Sequence, residues 1–442
     1  MNRRHVVGPV LAVVMLAAVA LSGRGSPGHS ACSAPGAPST TLSPADRRDP
    51  AVASDGGGGL VAIWESLTGG AIEASVRDAA GVWSPAVALS GRTARDPSVA
   101  VSPAGAVVAA WQVSASATTT TVQVATYEPG GGWSAPTDVS RPGSQTREPQ
   151  VGLTADGTQI LAWTRDTAAD SAVVEVVERP AGTTAWTAAH PISDADGRAR
   201  RPRLAIAPNG AAAVVWEQTI SGRRTARTAT RSPDGLWSQQ VQLTTDAADV
   251  SEPDVAIGLT GDVATVWIDA AGDGAAAVAV TRPEGGVWSA PTTIGRGSDV
   301  PHETARPGRA ETGADIAVLP DGRVVAVWTI VVDDANRAQS AATDPNHTWS
   351  PAVGLSRPGA SASGAQVVSL AGGVAAAGWE ELDGGLIRAR VARLDSRGSP
   401  TACADLTAAT AESGAIRLVG GSAPGAVFVD FNRNRVQVAP IR

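Results

Sequence analysis

The chain has 442 residues, a net charge of −7 and 43 % hydrophobic residues, so it contains enough apolar material for a large continuous core. The negative charge and the lack of any basic block exclude nucleic acid as an expected partner, because nucleic-acid binding needs a clustered positive face. Thirteen of the sixteen aromatic residues are tryptophans, which indicates a packing position that recurs along the chain.

The N-terminal residues have the pattern of an export signal. "MNRRH" is a positively charged start, residues 6–21 are mostly apolar, and the small residues at 20–22 suit a signal-peptidase cut. The apolar run is short for a membrane span of about 20 residues, and no later segment offers one. We therefore predict a signal peptide and a polar spacer over residues 1–31, followed by one secreted domain over residues 32–442. Anchoring to a lipid through Cys32 is a minor alternative.

A repeat of about 50 residues occupies the rest of the chain. An apolar run ending in tryptophan occurs seven times, at Trp64, Trp111, Trp163, Trp216, Trp267, Trp328 and Trp379. A second series, mostly followed by Ser, alternates with the first: Trp83, Trp133, Trp186, Trp237, Trp288 and Trp349. Each copy contains four short strands separated by turns rich in Gly and Pro. This pattern is typical of a β-propeller blade, with a parallel β-helix or an immunoglobulin-like array as alternatives.

The two ends of the chain complement each other. Residues 415–419, 426–431 and 435–441 match strands one to three of a copy, with Phe431 in the tryptophan position. Residues 32–43 resemble the fourth strand, because "CSAP" there corresponds to "WSAP" in other copies. We therefore predict an all-β propeller of eight four-stranded blades, closed by a composite blade that leaves no free sheet edge. Seven blades is the alternative.

The chain has only two cysteines, and the repeat assigns both to fourth strands. Cys32 belongs to the composite blade, and Cys403 belongs to the seventh copy beside it. Two cysteines at opposite ends of an exported chain predict a disulfide that braces the closure. Two unrelated thiols are the alternative, because outermost strands can lie too far apart.

The turn between the third and fourth strands carries a resemblance to a known family. "SPDGLW" at 232–237 and "RPEGGVW" at 282–288 resemble degenerate Asp-boxes (the BNR-like turns of sialidase-like propellers), and the chain from Cys32 onward resembles secreted propeller-repeat proteins of actinomycetes. This resemblance implies a fold and no particular activity. The Phe/Tyr-Arg-Ile-Pro motif of sialidases is absent. Tyr127, the only tyrosine, is expected at the end of a third strand, on the face opposite a sialidase active site, as a surface or packing residue.

Polar residues recur where each innermost strand starts, and propeller ligands usually bind on that side, at the mouth of the central channel. The candidate ligand-binding residues at these starts are Arg48, Asp49, Arg95, Asp96, Arg147, Glu148, Arg201 and Glu252. Residues near the ends of the second strands join them: Glu65, Gln112, Arg165, Glu217, Asp269 and Glu380. Such a rim can orient a sugar or peptide through charge-assisted hydrogen bonds. The simpler interpretation, which we favour, is salt bridges between neighbouring blades.

The first tryptophan series is expected to fill the core between blades. The insertion at 296–315 is expected to overhang the rim as a specificity loop. The five histidines show no metal-ligand spacing, and Asp194-Ala195-Asp196-Gly197 lacks the later ligands of a calcium loop. We therefore predict no metal and no cofactor.

Two hypotheses about function follow. The favoured one is a secreted, monomeric, non-catalytic binding or scaffold propeller that engages a cell-surface glycan or a protein through the rim. The alternative is a glycoside hydrolase or lyase that uses rim carboxylates such as Asp96, Glu148, Glu217 and Glu252. A hydrolase needs two carboxyl groups about 5–10 Å apart across a pocket. A rim carboxylate pair with a raised pKa in a closed pocket would favour the enzyme.

Overall fold

A computed structural model describes most of the chain. The described residues are 39–43, 47–91, 93–116, 118–245, 248–270, 274–299, 313–406, 413–421, 424–430 and 435–441. All regular secondary structure within these ranges is β-strand, as predicted, and none of their residues forms a helix able to cross a membrane. They belong to one compact unit, Cys32–Arg442. The predicted signal peptide and Cys32 lie outside the described residues.

The strands of the first four repeats are, in chain order, β1 (Thr40–Thr41), β2 (Arg47–Ser54), β3 (Leu60–Ser66), β4 (Ile72–Arg77), β5 (Val87–Ala88), β6 (Ala94–Val101), β7 (Val107–Ser114), β8 (Thr120–Glu128), β9 (Gly132–Trp133), β10 (Thr137–Asp138), β11 (Thr146–Leu153), β12 (Gln159–Ala168), β13 (Ser171–Arg179), β14 (His190–Pro191), β15 (Arg198–Ile206), β16 (Ala212–Ile220), β17 (Arg223–Arg231) and β18 (Val241–Gln242). The remaining strands are β19 (Val250–Ile257), β20 (Val263–Asp269), β21 (Ala275–Arg282), β22 (Thr292–Gly297), β23 (Ala314–Val318), β24 (Val324–Val332), β25 (Ala335–Ala342), β26 (Val353–Gly354), β27 (Ser361–Ser369), β28 (Ala375–Asp383), β29 (Leu386–Leu394), β30 (Pro400–Asp405), β31 (Ser413–Val419), β32 (Gly425–Asp430) and β33 (Arg435–Pro440).

The described strands form eight antiparallel units of four main strands, which we number as blades 1 to 8 in the order β2–β5, β6–β10, β11–β14, β15–β18, β19–β22, β23–β26, β27–β30 and β31–β33 with β1. One parallel bridge, Ala172 with Arg198, joins blades 3 and 4. Each blade's first strand contacts the first strand of the next blade, and β31 contacts β2. These contacts close the units into a propeller ring, as predicted.

The composite blade 8 contains both ends of the domain. Strand β1 pairs with β33, with Thr40 opposite Val438 and Thr41 opposite Gln437. The N-terminal segment therefore supplies the fourth strand that the C-terminal repeat lacks, as predicted.

The second strand of each blade is buried on both faces because each sheet packs between two others. Every residue of β3 is buried, in accordance with its continuous apolar sequence. The seven tryptophans of the first series are at most 1 % exposed. Each packs against the preceding blade: Trp111 lies in a cluster with Val61 and Ile63, and Trp64 with Val427. The predicted packing role of this series is confirmed.

The tryptophan position of blade 8 is occupied by Phe428, so the prediction of Phe431 is wrong. Trp379 lies opposite a bulge, between Glu380, which pairs with Ser363, and Gly378, which pairs with Gln366. In β32 the residues flanking the equivalent bulge are Val427 and Val429. Phe428 lies between them, is 0 % exposed, and packs against blade 7 in the same way. Phe431 itself lies outside the described residues.

Cys403 lies on β30, opposite Ala392, and packs against the core between blades 6 and 7. The fourth-strand position predicted for it is therefore confirmed. No described cysteine is a free thiol. Because Cys32 is not among the described residues, the pairing of Cys32 with Cys403 stays a prediction.

Candidate functional site

A bulge recurs near the start of the innermost strand. It interrupts the register between the first and second strands of blades 1 to 5, 7 and 8; in blade 6 the residues before Gly313 lie outside the described part of the chain. The left-handed residues in these bulges are Asp49 (φ 47°), Asp96 (φ 54°), Glu148 (φ 54°), Arg201 (φ 52°), Glu252 (φ 50°), Ala415 (φ 51°) and Gly364 (φ 61°). Six of them are not glycine, and a left-handed backbone costs an L-residue about 1–2 kcal/mol. The same backbone position is therefore left-handed, and strained where it is not glycine, in seven of the blades.

The bulges surround a cavity of about 570 Å³ on the ring axis, lined by the innermost strands of all eight blades. Asp49, Asp96, Glu148 and Glu252 all line it. We call the side of the ring on which these residues lie the rim face. These four sequence-predicted residues are therefore brought together around one space.

Among these four carboxylates, Asp96 has a pKa that its surroundings raise. The pKa of Asp96 is raised from 3.8 to about 6, chiefly by burial in the cavity wall and also by the nearby charges of Glu148, Asp49 and Glu65, against the opposing effect of Arg95. The Asp96 side chain is 49 % exposed, and its Oδ2 lies 4.0 Å from Arg95 Nε. Within a cluster of carboxylates, Asp96 thus carries a proton at mildly acid pH.

Two further carboxylates in the cavity wall were not predicted from the sequence. Asp254 lies two residues after the left-handed bulge residue Glu252 of blade 5, and Asp315 occupies the equivalent position of blade 6, two residues after Gly313. The pKa of Asp315 is raised well above its ordinary value by burial, by the charge of Asp254 and by a hydrogen bond to it. The buried Asp315 carboxyl therefore favours its protonated form, because a neighbouring negative charge and burial both disfavour its ionisation.

This position also connects one blade to the next. Oδ2 of Asp315 accepts a hydrogen bond from the backbone N–H of Val367 at 2.9 Å. The equivalent Gln366 Oε1 accepts one from Leu418 N–H at 3.1 Å, and Ser98 Oγ accepts one from Val151 N–H at 3.1 Å. The polar residues that alternate with apolar ones in the first strands are the ones that make these contacts between blades.

The carboxylates of the second strands are buried beside the cavity. Glu65, Glu217 and Glu380 are 6 %, 4 % and 1 % exposed, and none of them lines the cavity. Glu217 Oε1 accepts the N–H of Glu252 at 2.8 Å, and Glu380 Oε1 accepts the N–H of Ala415 at 2.6 Å. These carboxylates hold the left-handed residue of the next blade in place.

Glu148 makes the same type of contact from the first strand. Its Oε2 accepts the backbone N–H of Arg201 at 2.6 Å, although Glu148 also lines the cavity. The sequence pattern predicts salt bridges or ligand contacts for the rim carboxylates. It does not reveal the backbone as their partner, because the bulge that exposes these N–H groups has no distinct sequence signature in every blade.

The predicted rim arginines differ in their roles. Arg201 NH1 lies 3.4 Å from Glu217 and 3.5 Å from Glu252 Oε1, so it bridges blades 4 and 5 as an inter-blade salt bridge. Arg147 pairs with Asp166 of its own blade. Arg165 Nε lies 2.8 Å from Glu175 Oε1, also within one blade.

The remaining predicted residues lie away from the cavity or outside the described set. Asp269 Oδ1 accepts the N–H of Asp249 at 3.1 Å within blade 5, and Gln112 is buried. The side chain of Arg48 and residues 300–312 of the expected specificity loop lie outside the described residues.

The cavity wall is acidic overall. Its charged residues are Asp49, Asp96, Glu148, Glu252, Asp254, Asp315, Arg203 and Arg417. Carboxylates outnumber arginines, so the wall attracts cationic groups, accepts hydrogen bonds from neutral hydroxyl groups and repels anions. Among the residues that the structure describes, no group of three or more His, Cys, Asp or Glu side chains is arranged to hold a metal ion.

No protein-family model and no curated protein matches the chain. Among solved structures, the BP39L lectin from Burkholderia pseudomallei aligns with 82 % of this chain and 100 % of its own, at 14 % identity and a TM-score of 0.53. A PL25 ulvan lyase aligns with 77 % of this chain and 90 % of its own, at 10 % identity and a TM-score of 0.49. The Hadza microbial sialidase Hz136 aligns with 73 % and 70 %, at 13 % identity and a TM-score of 0.40. Identities this low show the fold alone, and that fold is the β-propeller.

Proposed function

We propose that this protein is a secreted, non-catalytic propeller that binds a glycan through the cavity at its rim face. The observation that carries the proposal is the cavity of about 570 Å³ into which several blades present carboxylates. Its volume falls within the roughly 300–1,000 Å³ of ligand pockets. Carboxylates accept hydrogen bonds from sugar hydroxyl groups, and such charge-assisted bonds are strong.

The charge of the wall narrows the ligand class. Because the wall is acidic, the ligand is a neutral or amino-sugar glycan, and sialylated or sulfated glycans are disfavoured. Asp49, Asp96 and Glu252 accept hydrogen bonds from the ligand, and Arg203 and Arg417 donate to it. The solved structure with the highest TM-score reported above is named a lectin, which accords with a binding role.

Preorganisation supports the same role. Glu217 and Glu380 fix the backbone of the left-handed residues through hydrogen bonds of 2.8 and 2.6 Å. The cavity carboxylates therefore do not have to be ordered when the ligand arrives, which lowers the entropy cost of binding.

The test is a glycan array with neutral, amino-sugar and sialylated oligosaccharides, followed by calorimetry on the best binder. We expect neutral or amino-sugar glycans to bind, and a double Asp49→Asn, Asp96→Asn variant to weaken binding about tenfold or more. The control is Asp138→Asn, an exposed carboxylate on the outer strand β10, which should leave affinity unchanged. Preferential binding of sialylated glycans, or unchanged affinity in the double variant, would contradict the proposal.

One observation favours a glycoside hydrolase as the second candidate. Asp96 has a pKa raised to about 6, which suits a general acid, and the charges of Asp49 and Glu148 reach it. The same glycans separate the two candidates when they are incubated with the protein and analysed for reducing ends. In a hydrolase, Asp96→Asn abolishes release of reducing ends while binding persists. In a binding protein, no release occurs with either form.

A further inference from the structure

The second tryptophan series lies on the face opposite the rim, which we call the turn face because it carries the turns between third and fourth strands. All six of these tryptophans are partly exposed. Three lie beside an arginine: Arg77 is 6.0 Å from the Trp83 ring centroid, and Arg179–Trp186 and Arg282–Trp288 are 5.5 and 5.8 Å apart. In blade 2 a tyrosine replaces the arginine, and the Tyr127 and Trp133 ring centroids are 5.5 Å apart.

A cavity of about 530 Å³ opens on this face between blades 1 and 2. Trp83 lines it from blade 1 and Tyr127 lines it from blade 2. Val82, which is 64 % exposed, extends the apolar wall at the opening. Among the described residues, neither the Tyr127 hydroxyl nor the Trp83 indole N–H has a hydrogen-bond partner. Both groups are therefore available to a ligand.

The charged groups around this cavity are held in fixed orientations. Arg77 donates from Nε and NH2 to the backbone oxygen of Gly58 at 3.2 and 2.8 Å. Asp55 Oδ1 accepts the N–H of Gly59 at 2.9 Å, and Asp78 Oδ1 accepts the N–H of Val82 at 2.8 Å. The second oxygen of each carboxylate remains to accept a hydrogen bond from a bound molecule.

We propose that this groove between blades 1 and 2 binds one neutral pyranose ring of a glycan. The apolar face of a pyranose packs on an aromatic ring, and its hydroxyl groups need fixed donors and acceptors around the edge. Trp83, Tyr127 and Val82 provide the apolar surface, and Asp55, Asp78 and the two free aromatic donors provide the edge. The two carboxylates outweigh Arg77, so the groove disfavours an anionic sugar. The proposal does not depend on the rim cavity, since the groove lies on the other face.

The equivalent position of blade 4 shows why the other tryptophans of this series are not proposed to bind a sugar. Trp237 donates its indole N–H to Glu178 Oε1 at 2.8 Å, and Arg231 pairs with Glu178 through bonds of 2.9 and 2.8 Å. The Glu178 carboxylate of blade 3 therefore already accepts the hydrogen bonds that Trp237 and Arg231 could otherwise donate to a sugar. In blade 5, Arg282 donates to Thr230 Oγ1 at 2.8 Å, beside the partly exposed Trp288.

The experiment titrates the protein with the methyl glycosides of glucose, galactose, mannose and fucose, followed by saturation-transfer NMR and calorimetry. We expect at least one methyl glycoside to bind, with loss of about tenfold or more in affinity in Trp83→Ala and in Tyr127→Ala. Trp288→Ala is the matched control, because it removes the same turn tryptophan and its arginine contact without altering the groove. Tyr127→Phe removes only the phenolic hydroxyl, and Val82→Ser alters a side chain that is 64 % exposed, so both should weaken binding by a smaller factor while melting with the native protein.

Three results would overturn the proposal. The first is no binding by any of the four methyl glycosides. The second is an equal loss in Trp288→Ala and Trp83→Ala. The third is loss of binding in the Asp49→Asn, Asp96→Asn variant with full binding in Trp83→Ala, which places the only sugar site at the rim cavity. Loss of binding in Trp83→Ala with full binding in the Asp49→Asn, Asp96→Asn variant supports the groove and counts against the rim cavity. The two proposals can therefore fail independently.

Discussion

The left-handed residues of the rim face show how individual side chains shape the ring. A left-handed backbone costs each non-glycine residue about 1–2 kcal/mol, and Asp is among the residues that tolerate it best. In blades 5 and 8 a buried carboxylate of the preceding blade offsets this cost, because it accepts the N–H that the bulge exposes. Glu217 and Glu380 thus act on the backbone of the neighbouring blade. The charged side chains at these positions therefore act mainly by fixing the backbone of the neighbouring blade, and only indirectly by shaping the cavity.

Glu217 provides a test of this role. Glu217→Ala leaves the partly buried N–H of Glu252 without its acceptor and removes one partner of Arg201, so we expect a loss of about 2 kcal/mol in the free energy of unfolding. Glu217→Gln keeps an acceptor oxygen and should cost less than about 1 kcal/mol. Urea denaturation measures both. Equal losses in the two variants would show that the hydrogen bond to Glu252 is unimportant.

Asp96 predicts a pH dependence of stability. Its pKa is about 6 in the folded protein, against the ordinary 3.8 of an aspartate in an unfolded chain, so the folded state binds more protons between these limits. The resulting contribution is fully present below pH 3.8 and is lost as pH rises through 6. Asp96→Asn should therefore gain stability relative to the native protein as pH rises from about 4 to about 7, by roughly 1 kcal/mol since solvent screens a half-exposed group.

Thermal unfolding of both proteins across this pH range measures the effect, with Asp138→Asn as the control. A difference between Asp96→Asn and the native protein that is constant with pH would contradict the raised pKa.

At the scale of strands, the sequence pattern predicts most of the architecture because apolar runs, turn residues and the tryptophan repeat all agree. The errors arise at irregular points. Two phenylalanines lie three residues apart in "FVDF", and only the strand register shows that Phe428 takes the tryptophan position. Asp254 and Asp315 were missed because each follows the start of the strand, where a bulge or a glycine breaks the simple alternation of faces.

The two aromatic series predict different costs of truncation. Phe428 is fully buried between blades 7 and 8, so Phe428→Ala should lower the free energy of unfolding by about 3–5 kcal/mol. Trp288 is partly exposed on the turn face, so Trp288→Ala should cost about 1–2 kcal/mol. Guanidinium denaturation measures both values. A larger loss of unfolding free energy in Trp288→Ala than in Phe428→Ala would mean that the second tryptophan series contributes more to core stability than the first.

At the scale of the whole molecule, the short strand β1 completes the blade that closes the ring. Besides the β1–β33 pairing, Leu42 N–H donates to Val436 O at 2.9 Å, Val436 N–H donates to Ser43 Oγ at 2.9 Å, and Ser39 Oγ donates to Gln437 Oε1 at 2.5 Å. A hydrogen bond contributes about 1 kcal/mol net, so each of these described contacts adds only modestly to the attachment of β1. Without β1, strand β33 would expose an unpaired edge that favours association between molecules.

The predicted disulfide between Cys32 and Cys403 would stabilise this closure further. The loop it closes includes nearly the whole ring, and chain entropy predicts a contribution on the order of 5 kcal/mol in an unstrained bond. We therefore expect a reducing agent to lower the melting temperature of the native protein by several degrees, on the order of 10 °C or less for a ring of this size. Cys403→Ser should melt at the lower temperature with or without the reducing agent. Two titratable thiols in the oxidised, folded protein would contradict the pairing, and closure would then rest on β1 and the packing of blade 8 alone.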